Sequence, residues 1–507
     1  MTKAFGTRRE PRRPRRRLTR AVLILATGLG TVFTVTAPAH AALPGADARL
    51  TRAPYLTDLT TTSVQVNWGT TTQSKGSIHY GPLGNCSAYT VTAGNSGYPM
   101  TINGVTEYRN SVTVGGLSAG TAYCYRVYTG GSAPVDLLGT LATPRFTTLE
   151  PLGSTTPFSF AVLGDWGDTT NSGVDDGSLN VNQANVLSRI GSSGARFALS
   201  AGDIAYQGGS QTNYGDLNQT GIDISGVFGP QYWALPGMST PMFAVSGNHG
   251  QNSTYLLNWP MAATNAASGG TYAMVSYPSI DGSNPGSYPT AYYAIATGGV
   301  RIYMLDAAWG NSNTGTATGG TCGSHCAIYE VDHDAHWTVS SDQYQWLADD
   351  LAAHPGGVKM AVFHFPLRSD DATEPDDNYL NISAGPTSLE TMLHDNGVGL
   401  VFNGHAHDYQ RNTAPPGGVV SYVTGGGGAK STPVRGGTRC SATDAYAVGW
   451  SYSKAKGSAC GAAPVPTSDS QVYHFLKVTV NGTTVTVTPT DSLGRTFDVQ
   501  TYNFAAQ

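Results

Sequence analysis

The chain has 507 residues, 40% of them hydrophobic and only 12% charged, with 64 glycines. That is room for about two to four domains with real cores, and the glycine, threonine, serine and asparagine content excludes a helical bundle in favour of strands, turns and long loops. A formal net charge of −5 argues against a general nucleic-acid or anionic-membrane binder, since both want a basic surface.

Residues 1–41 read as a cleaved signal peptide and are set aside from the fold. Met1–Arg20 carries nine basic side chains and one acid, Ala21–Thr36 is apolar, and Ala39-His40-Ala41 is a small-x-small cleavage site. The apolar run is shorter than the roughly twenty residues of a transmembrane helix. Arg15-Arg16-Arg17-Leu18 loosely fits a twin-arginine signal, so Sec and twin-arginine export both stay open. Cleavage after Ala41 leaves 19 basic against 32 acidic residues, a secreted product with no membrane attachment. All six cysteines fall in that part. An even count in an exported chain suggests disulfides, and their order gives Cys86–Cys124, Cys322–Cys326 and Cys440–Cys460. The competing reading is a zinc site from Cys322 and Cys326 with His325.

Residues 42–150 read as an all-β module. Ser63–Trp68 alternates apolar and polar residues, the period of a half-buried strand. Further strands are expected at Ser77–Tyr80, Glu107–Val114, Ala122–Tyr128 and Arg145–Thr148. Trp68 on an early strand, followed by Leu117–Val127, resembles a fibronectin-type-III sandwich in which Tyr123 or Tyr125 forms the tyrosine corner. After a Pro/Ser/Thr/Gly linker, residues 155–507 change register. Phe158–Leu163, Phe197–Ala201, Pro241–Ser246, Val300–Leu305, Val358–Phe363 and Leu400–Phe402 are apolar strands. Val181–Gly191 and Asp342–His354 have helical spacing. Strand, polar turn and helix in repetition indicate an α/β domain. Asn481-Gly482 joins two C-terminal strands as a hairpin, and Gln251–Ser287 and Asn311–Val339 are expected to be loops around a site.

Five strand ends carry metal-competent side chains: Asp165, Asp203 with Tyr206, Asn248 with His249, His364, and His405 with His407. One Asp in such a place is ordinarily a turn or a helix cap. Five such endings with no spare basic group are not explained by capping. Ligands bind beyond the carboxyl ends of the strands of an α/β sheet. Carboxylate and amide oxygens mixed with imidazoles suit a pair of divalent or trivalent ions bridged by one carboxylate.

The blocks Gly164-Asp165-Trp166-Gly167, Gly202-Asp203-Ile204-Ala205-Tyr206, Gly247-Asn248-His249, Ala361-Val362-Phe363-His364 and Gly404-His405-Ala406-His407 resemble the calcineurin-like metallophosphoesterases. More narrowly they resemble the purple acid phosphatases. The generic family has Asp-x-His in the first block; here the third place is Gly167, and Tyr206 appears instead, a phenolate that prefers Fe(III). The resemblance takes in the N-terminal sandwich, the Gln343–Leu351 helix, Tyr422–Gly428 and the C-terminal hairpin. It implies an α/β (α+β) four-layer fold, a β-sandwich flanked by helices and preceded by the fibronectin-III-like sandwich. It further implies that Asp165, Tyr206 and His407 hold Fe(III), that Asn248, His364 and His405 hold a divalent ion (Zn, Fe or Mn), and that Asp203 bridges. By the same resemblance His249 is expected to contact the phosphate and assist the leaving group as catalytic residue, with Asn248 also on the substrate side.

Two departures bear on substrate. No histidine follows His364 closely, and Arg368 is there instead, either a phosphate-binding fork or a surface arginine. The acidic run Asp370–Asp377 repels large phosphorylated polymers if it lines the cleft. The function so implied is a secreted acid-phosphatase-type enzyme in which hydroxide on the metals attacks small phosphate monoesters. A phosphodiesterase or nucleotidase with the same centre is the enzymatic alternative. A non-catalytic secreted binding protein is the distant one, and it predicts broken metal blocks, whereas all seven ligand positions are intact.

Overall fold

The computed structural model describes residues 43–102, 104–168, 180–206, 211–218, 226–249, 258–260, 272–278, 287–307, 337–372 and 380–504, with the backbone alone at 272–278 and 287–291. The leader, Cys322, His325 and Cys326 therefore lie outside the described residues.

Eight strands form the N-terminal sandwich: β1 (Leu50–Thr57), β2 (Val64–Thr70), β3 (Ser77–Pro82), β4 (Tyr89–Thr92), β5 (Tyr98–Ile102), β6 (Val105–Val114), β7 (Ala122–Tyr128) and β8 (Arg145–Thr147). They make two four-stranded sheets, β1-β2-β6-β5 and β4-β3-β7-β8. Val64, Val66 and Trp68 are fully buried with Ile78 and Val127, as their alternation requires. The two tyrosines divide the roles that the sequence left open. Tyr123 is the corner, its hydroxyl accepting the Ser118 backbone N–H at 2.9 Å. Tyr125 instead donates to the Met238 carbonyl at 2.8 Å and so fastens the sandwich to the second part. A Cys86–Cys124 disulfide ties the turn after β3 to β7.

The second part opens with β9 (Phe158–Leu163), α1 (Val181–Ser192), β10 (Ala198–Ser200) and β11 (Met242–Ala244). It continues through β12 (Tyr272–Pro278), β13 (Ser287–Thr297), β14 (Val300–Met304), α2 (Asp342–Ala353), β15 (Val358–Val362), α3 (Leu389–Asp395) and β16 (Val398–Asn403). After these come β17 (Tyr409–Asn412), β18 (Val420–Thr424), β19 (Asp444–Ser451), β20 (Lys456–Gly461), β21 (His474–Asn481), β22 (Thr484–Asp491) and β23 (Gln500–Asn503). One sheet runs β11-β10-β9-β21-β22-β23 and the other β12-β13-β14-β15-β16-β18-β17-β19-β20. Strands β9, β10 and β11 are mutually parallel, as are β14, β15, β16 and β18.

Alternation assigns the layers. Phe160, Val162, Leu199, Met360, Val362, Leu400 and Phe402 share one core between the sheets. Ala161, Leu163, Ala198 and Met242 face outward onto Val186, Leu187 and Ile190 of α1. Ala361 and Val401 face outward onto Leu347 and Leu351 of α2 and Leu393 of α3. Both faces of the parallel strands are covered, which is why they read as unbroken apolar runs. Helices α1, α2 and α3 each start at a side-chain cap, with Asn180, Ser341 and Ser388 accepting the N–H of Gln183, Tyr344 and Thr391. Strand β12 corrects the loop expected over Gln251–Ser287.

The seam between the two parts is polar and buried. Arg52, fully buried, pairs with Glu107 at 3.1 Å, donates to Asn258 Oδ1 at 2.7 Å and to the Gly215 carbonyl at 2.8 Å, and lies 4.2 Å over the Phe228 ring. Breaking a buried pair from one side leaves an uncompensated charge. Arg52→Met should therefore lower unfolding free energy by about 3–5 kcal/mol, read from the denaturation midpoint, and Arg52→Met/Glu107→Gln should recover part of it. An Arg52→Met loss below about 1 kcal/mol would place the pair in the exposed class.

Candidate metal centre

Parallel pairing brings the carboxyl ends of β9, β10 and β11 side by side in one sheet, and those of β15 and β16 in the other. Every one of the five motif blocks follows one of these ends. The turns are tight. Asp165, Asp203 and His405 have φ of 56°, 49° and 70°, half of the six non-glycine residues in the left-handed region among those described. Such backbone costs of order 1–3 kcal/mol per residue and gathers at functional sites. Glycine makes the close approach possible: a Cβ at Gly404 would lie 2.6 Å from Asp165 Oδ2, and one at Gly247 would collide with Asp203 Oδ1.

Oxygens of Asp165 and Asp203 and a ring nitrogen of His364 lie within 4.8 Å of one another. The Tyr206 hydroxyl is 3.2 Å from Asp165 Oδ1, 3.0 Å from Asp203 Oδ2 and 3.1 Å from His407 Nε2. Asn248 Oδ1 is 2.8 Å from His364 Nε2 and 3.0 Å from His405 Nδ1. His405 N–H donates to Asp165 Oδ2 at 2.8 Å, and His249 N–H to Asp203 Oδ1 at 2.8 Å. The His249 ring packs 4.5 Å from that of Tyr206. Asp165, Asp203, His364 and Tyr206 are buried, while Asn248, His249, His405 and His407 are partly exposed. The cluster thus has a closed floor and an open face.

Two backbone carbonyls set the ring tautomers. His364 Nδ1–H donates to Ala201 O at 2.8 Å and His407 Nδ1–H to Lys430 O at 3.0 Å. Each Nε2 lone pair is therefore turned into the cluster, the arrangement by which outer partners orient metal-binding imidazoles. With both rings neutral there are more lone pairs than protons: Tyr206 has one hydrogen for three acceptors, and Asn248 Oδ1, which can only accept, faces the His364 Nε2 lone pair. The only ion-pair partners of Asp165 and Asp203 among the described residues are His407 at 3.5 Å and His364 at 3.4 Å. Protonation registers the same excess of negative charge. Burial works against charge on His364, yet Asp203 beside it raises its pKa to about 9; burial likewise opposes charge on His407, and Asp165 raises it to about 9. Asp203 is held well below the usual carboxylate range, the imidazoles of His364 and His249 overcoming its burial. Burial and the two carboxylates push the Tyr206 phenol up. This donor set fits cations.

Two family descriptions match the chain: "Purple acid Phosphatase, N-terminal domain" over residues 53–148 and "Calcineurin-like phosphoesterase" over 158–409. The chain belongs to the purple acid phosphatase-like calcineurin-like phosphoesterases. Among curated proteins it is 23% identical over 339 residues to purple acid phosphatase 15 and 25% identical over 328 residues to purple acid phosphatase 22, both of Arabidopsis thaliana. Each match takes 62% of this chain but only 53% and 58% of those relatives. The solved purple acid phosphatase PPD1 of yellow lupin (Lupinus luteus) seeds shares the fold, with a TM-score of 0.54 at 15% identity, covering 89% of this chain and 74% of that one.

Gly167, the departure from the generic family motif, has a structural reason. A Cβ there would collide with the Ile204 carbonyl, so the turn that delivers Tyr206 occupies the space a histidine would need. Arg368, for which the sequence left a phosphate fork and a surface arginine open, has its guanidinium paired with buried Glu390 and reaching the Val419 carbonyl at 3.3 Å, where it braces α3. Asp370 and Asp371 are also buried; most of the acidic run after them is outside the described residues. What the sequence concealed are the Ala201 and Lys430 carbonyls, since backbone acceptors leave no residue-type signal.

A second group, Asp370 and Asp444 beside Cys440 and Cys460, also has its ligand atoms within 4.8 Å. Its sulfurs are joined in a disulfide, and burial with the neighbouring Asp370 raises Asp444 to about 7. A carboxyl raised above its unfolded value favours folding while protonated, and that contribution is lost as pH rises from about 4 to about 7. Asp444→Asn should flatten the fall of melting temperature with pH across that window; an unchanged profile would show that Asp444 titrates normally.

Proposed function

We propose that the protein is a secreted dinuclear-metal phosphatase that hydrolyses small phosphate monoesters. The observation that carries this reading is the convergence of seven side chains whose lone pairs outnumber their protons at the open ends of five strands. In this reading Asp165, Tyr206 and His407 would hold Fe(III), Asn248, His364 and His405 would hold a divalent ion (Zn, Fe or Mn), and Asp203 would serve both. Such a pair of ions supplies an activated hydroxide and neutralises the charge of the phosphoryl group in transfer. The chain's own part is positional. Ala201 and Lys430 hold the two imidazoles in the ligating tautomer. Gly247 and Gly404 let backbone press against the carboxylates and exclude water from the floor. His249, anchored by its N–H on Asp203 and partly exposed, stands on the open face, where its ring can give a proton to the departing alkoxide.

Residues 42–150 act in this reading as the fibronectin-III-like support and 155–507 as the catalytic domain, with 1–41 an export signal. In accord with a secreted product, no helix among the described residues is long and apolar enough to cross a membrane, and two disulfides are formed.

The metal-loaded protein should show a visible tyrosinate-to-Fe(III) absorption that Tyr206→Phe abolishes; a colourless, fully loaded wild type refutes the iron assignment. Nitrophenyl phosphate should be turned over well ahead of bis(nitrophenyl) phosphate, and the reverse order would make the enzyme a diesterase. Asp203→Asn should cost about 3 kcal/mol or more of transition-state stabilisation, roughly 100-fold or more in kcat, as should removal of metal by a chelator.

A further inference from the structure

Between the β19–β20 hairpin and the segment after Thr432 lies a cavity of about 450 Å³. Four cations, Arg435, Arg439, Lys454 and Lys456, line it; Arg435 also lies 4.0 Å from the buried Asp370 carboxylate, and no carboxylate is among the described lining residues. All four are exposed, in a chain whose net charge is −5. Its wall includes Ser458, whose hydroxyl is buried without a hydrogen-bond partner, and Val434 supplies apolar floor. The walls are bolted together: the Cys440–Cys460 disulfide joins the residue after Arg439 to the strand that bears Lys456 and Ser458.

The same segment touches the metal centre. Thr432 N–H donates to the His407 carbonyl at 3.0 Å, and Lys430 carries the carbonyl that holds the His407 ring. From Thr432 to Arg435 is three residues, at most about 10 Å of extended chain. One strip of backbone therefore runs from the His407 side of the centre to the cationic cavity.

We propose that this cavity is a second anion-binding site, for small compounds bearing two or more phosphate groups. Concave sites of a few hundred Å³ hold ligands of that size. Forked guanidinium and ammonium donors recognise phosphate oxygens. As a distal subsite for substrate the proposal rests on the phosphatase reading; as a binding site it does not.

Hexane-1,6-diol bisphosphate and hexyl phosphate separate these. In Arg439→Glu/Lys456→Glu the KM for the bisphosphate should rise about tenfold, equivalent to about 1.4 kcal/mol, with kcat and the hexyl phosphate KM unchanged. The neutral Arg439→Gln/Lys456→Gln should shift the same KM in the same direction by less, which keeps the test valid if charge reversal unfolds the hairpin. Calorimetry with the bisphosphate reads the cavity without turnover. Loss of its binding in the variants while the bisphosphate KM stays put identifies a separate ligand of the same chemistry and supports the site. If neither compound is hydrolysed, the phosphatase reading fails while calorimetry still decides the cavity. Equal bisphosphate binding and equal KM in wild type and both folded variants overturn the proposal.

Discussion

Asp165 and Asp203 are almost wholly removed from water, and the ionic partners within reach are imidazoles. Burying a carboxylate without a compensating charge is costly enough that proteins avoid it. Much of the second part can be understood as what keeps these two groups in place. Parallel pairing of β9 with β10 sets their spacing, left-handed turns aim them inward, and glycine turns opposite let backbone N–H groups reach them. From the other sheet the ends of β15 and β16 bring the imidazoles of His364 and His405 to the same cluster. The apolar cores between and outside the sheets are the rigid frame that makes this concentration of lone pairs repeatable.

The N-terminal sandwich contributes to that rigidity from outside. Through Arg52, Tyr55 and Tyr125 it grips Gly215, Asn258 and Met238, residues of the connections between β10 and β13. Those connections flank the strand end that carries Asn248 and His249. The sandwich brings no side chain to the metal cluster among the contacts described, yet it braces the backbone from which one wall of the cluster is built.

Much of this could be read in the residues. Ala122–Tyr128 and Phe158–Leu163 coincide with observed strands because their patterns, alternating in one and unbroken in the other, are dictated by which faces are buried. The five strand-end motifs meet because their strands are parallel. Other elements gave no such signal. Helix α3, seven residues long, is too short for a 3.6-residue period to show. Strands β17, β19 and β20 are paired through backbone between glycine-rich turns, so their membership in the large sheet depends on tertiary partners. Arg368 is ambiguous for a related reason: an arginine near a phosphate motif and one bracing a buried glutamate look alike until the neighbour across the fold is known.

The two carbonyls that orient His364 and His407 bear on how the protein can change. A tautomer held by a peptide oxygen is indifferent to the side chain on that residue, provided the backbone keeps its course. Lys430 is exposed, so position 430 can drift in size and charge across related proteins while the imidazole it steadies stays put. The orientation of the His407 ring and the character of the adjoining surface are thereby separately adjustable.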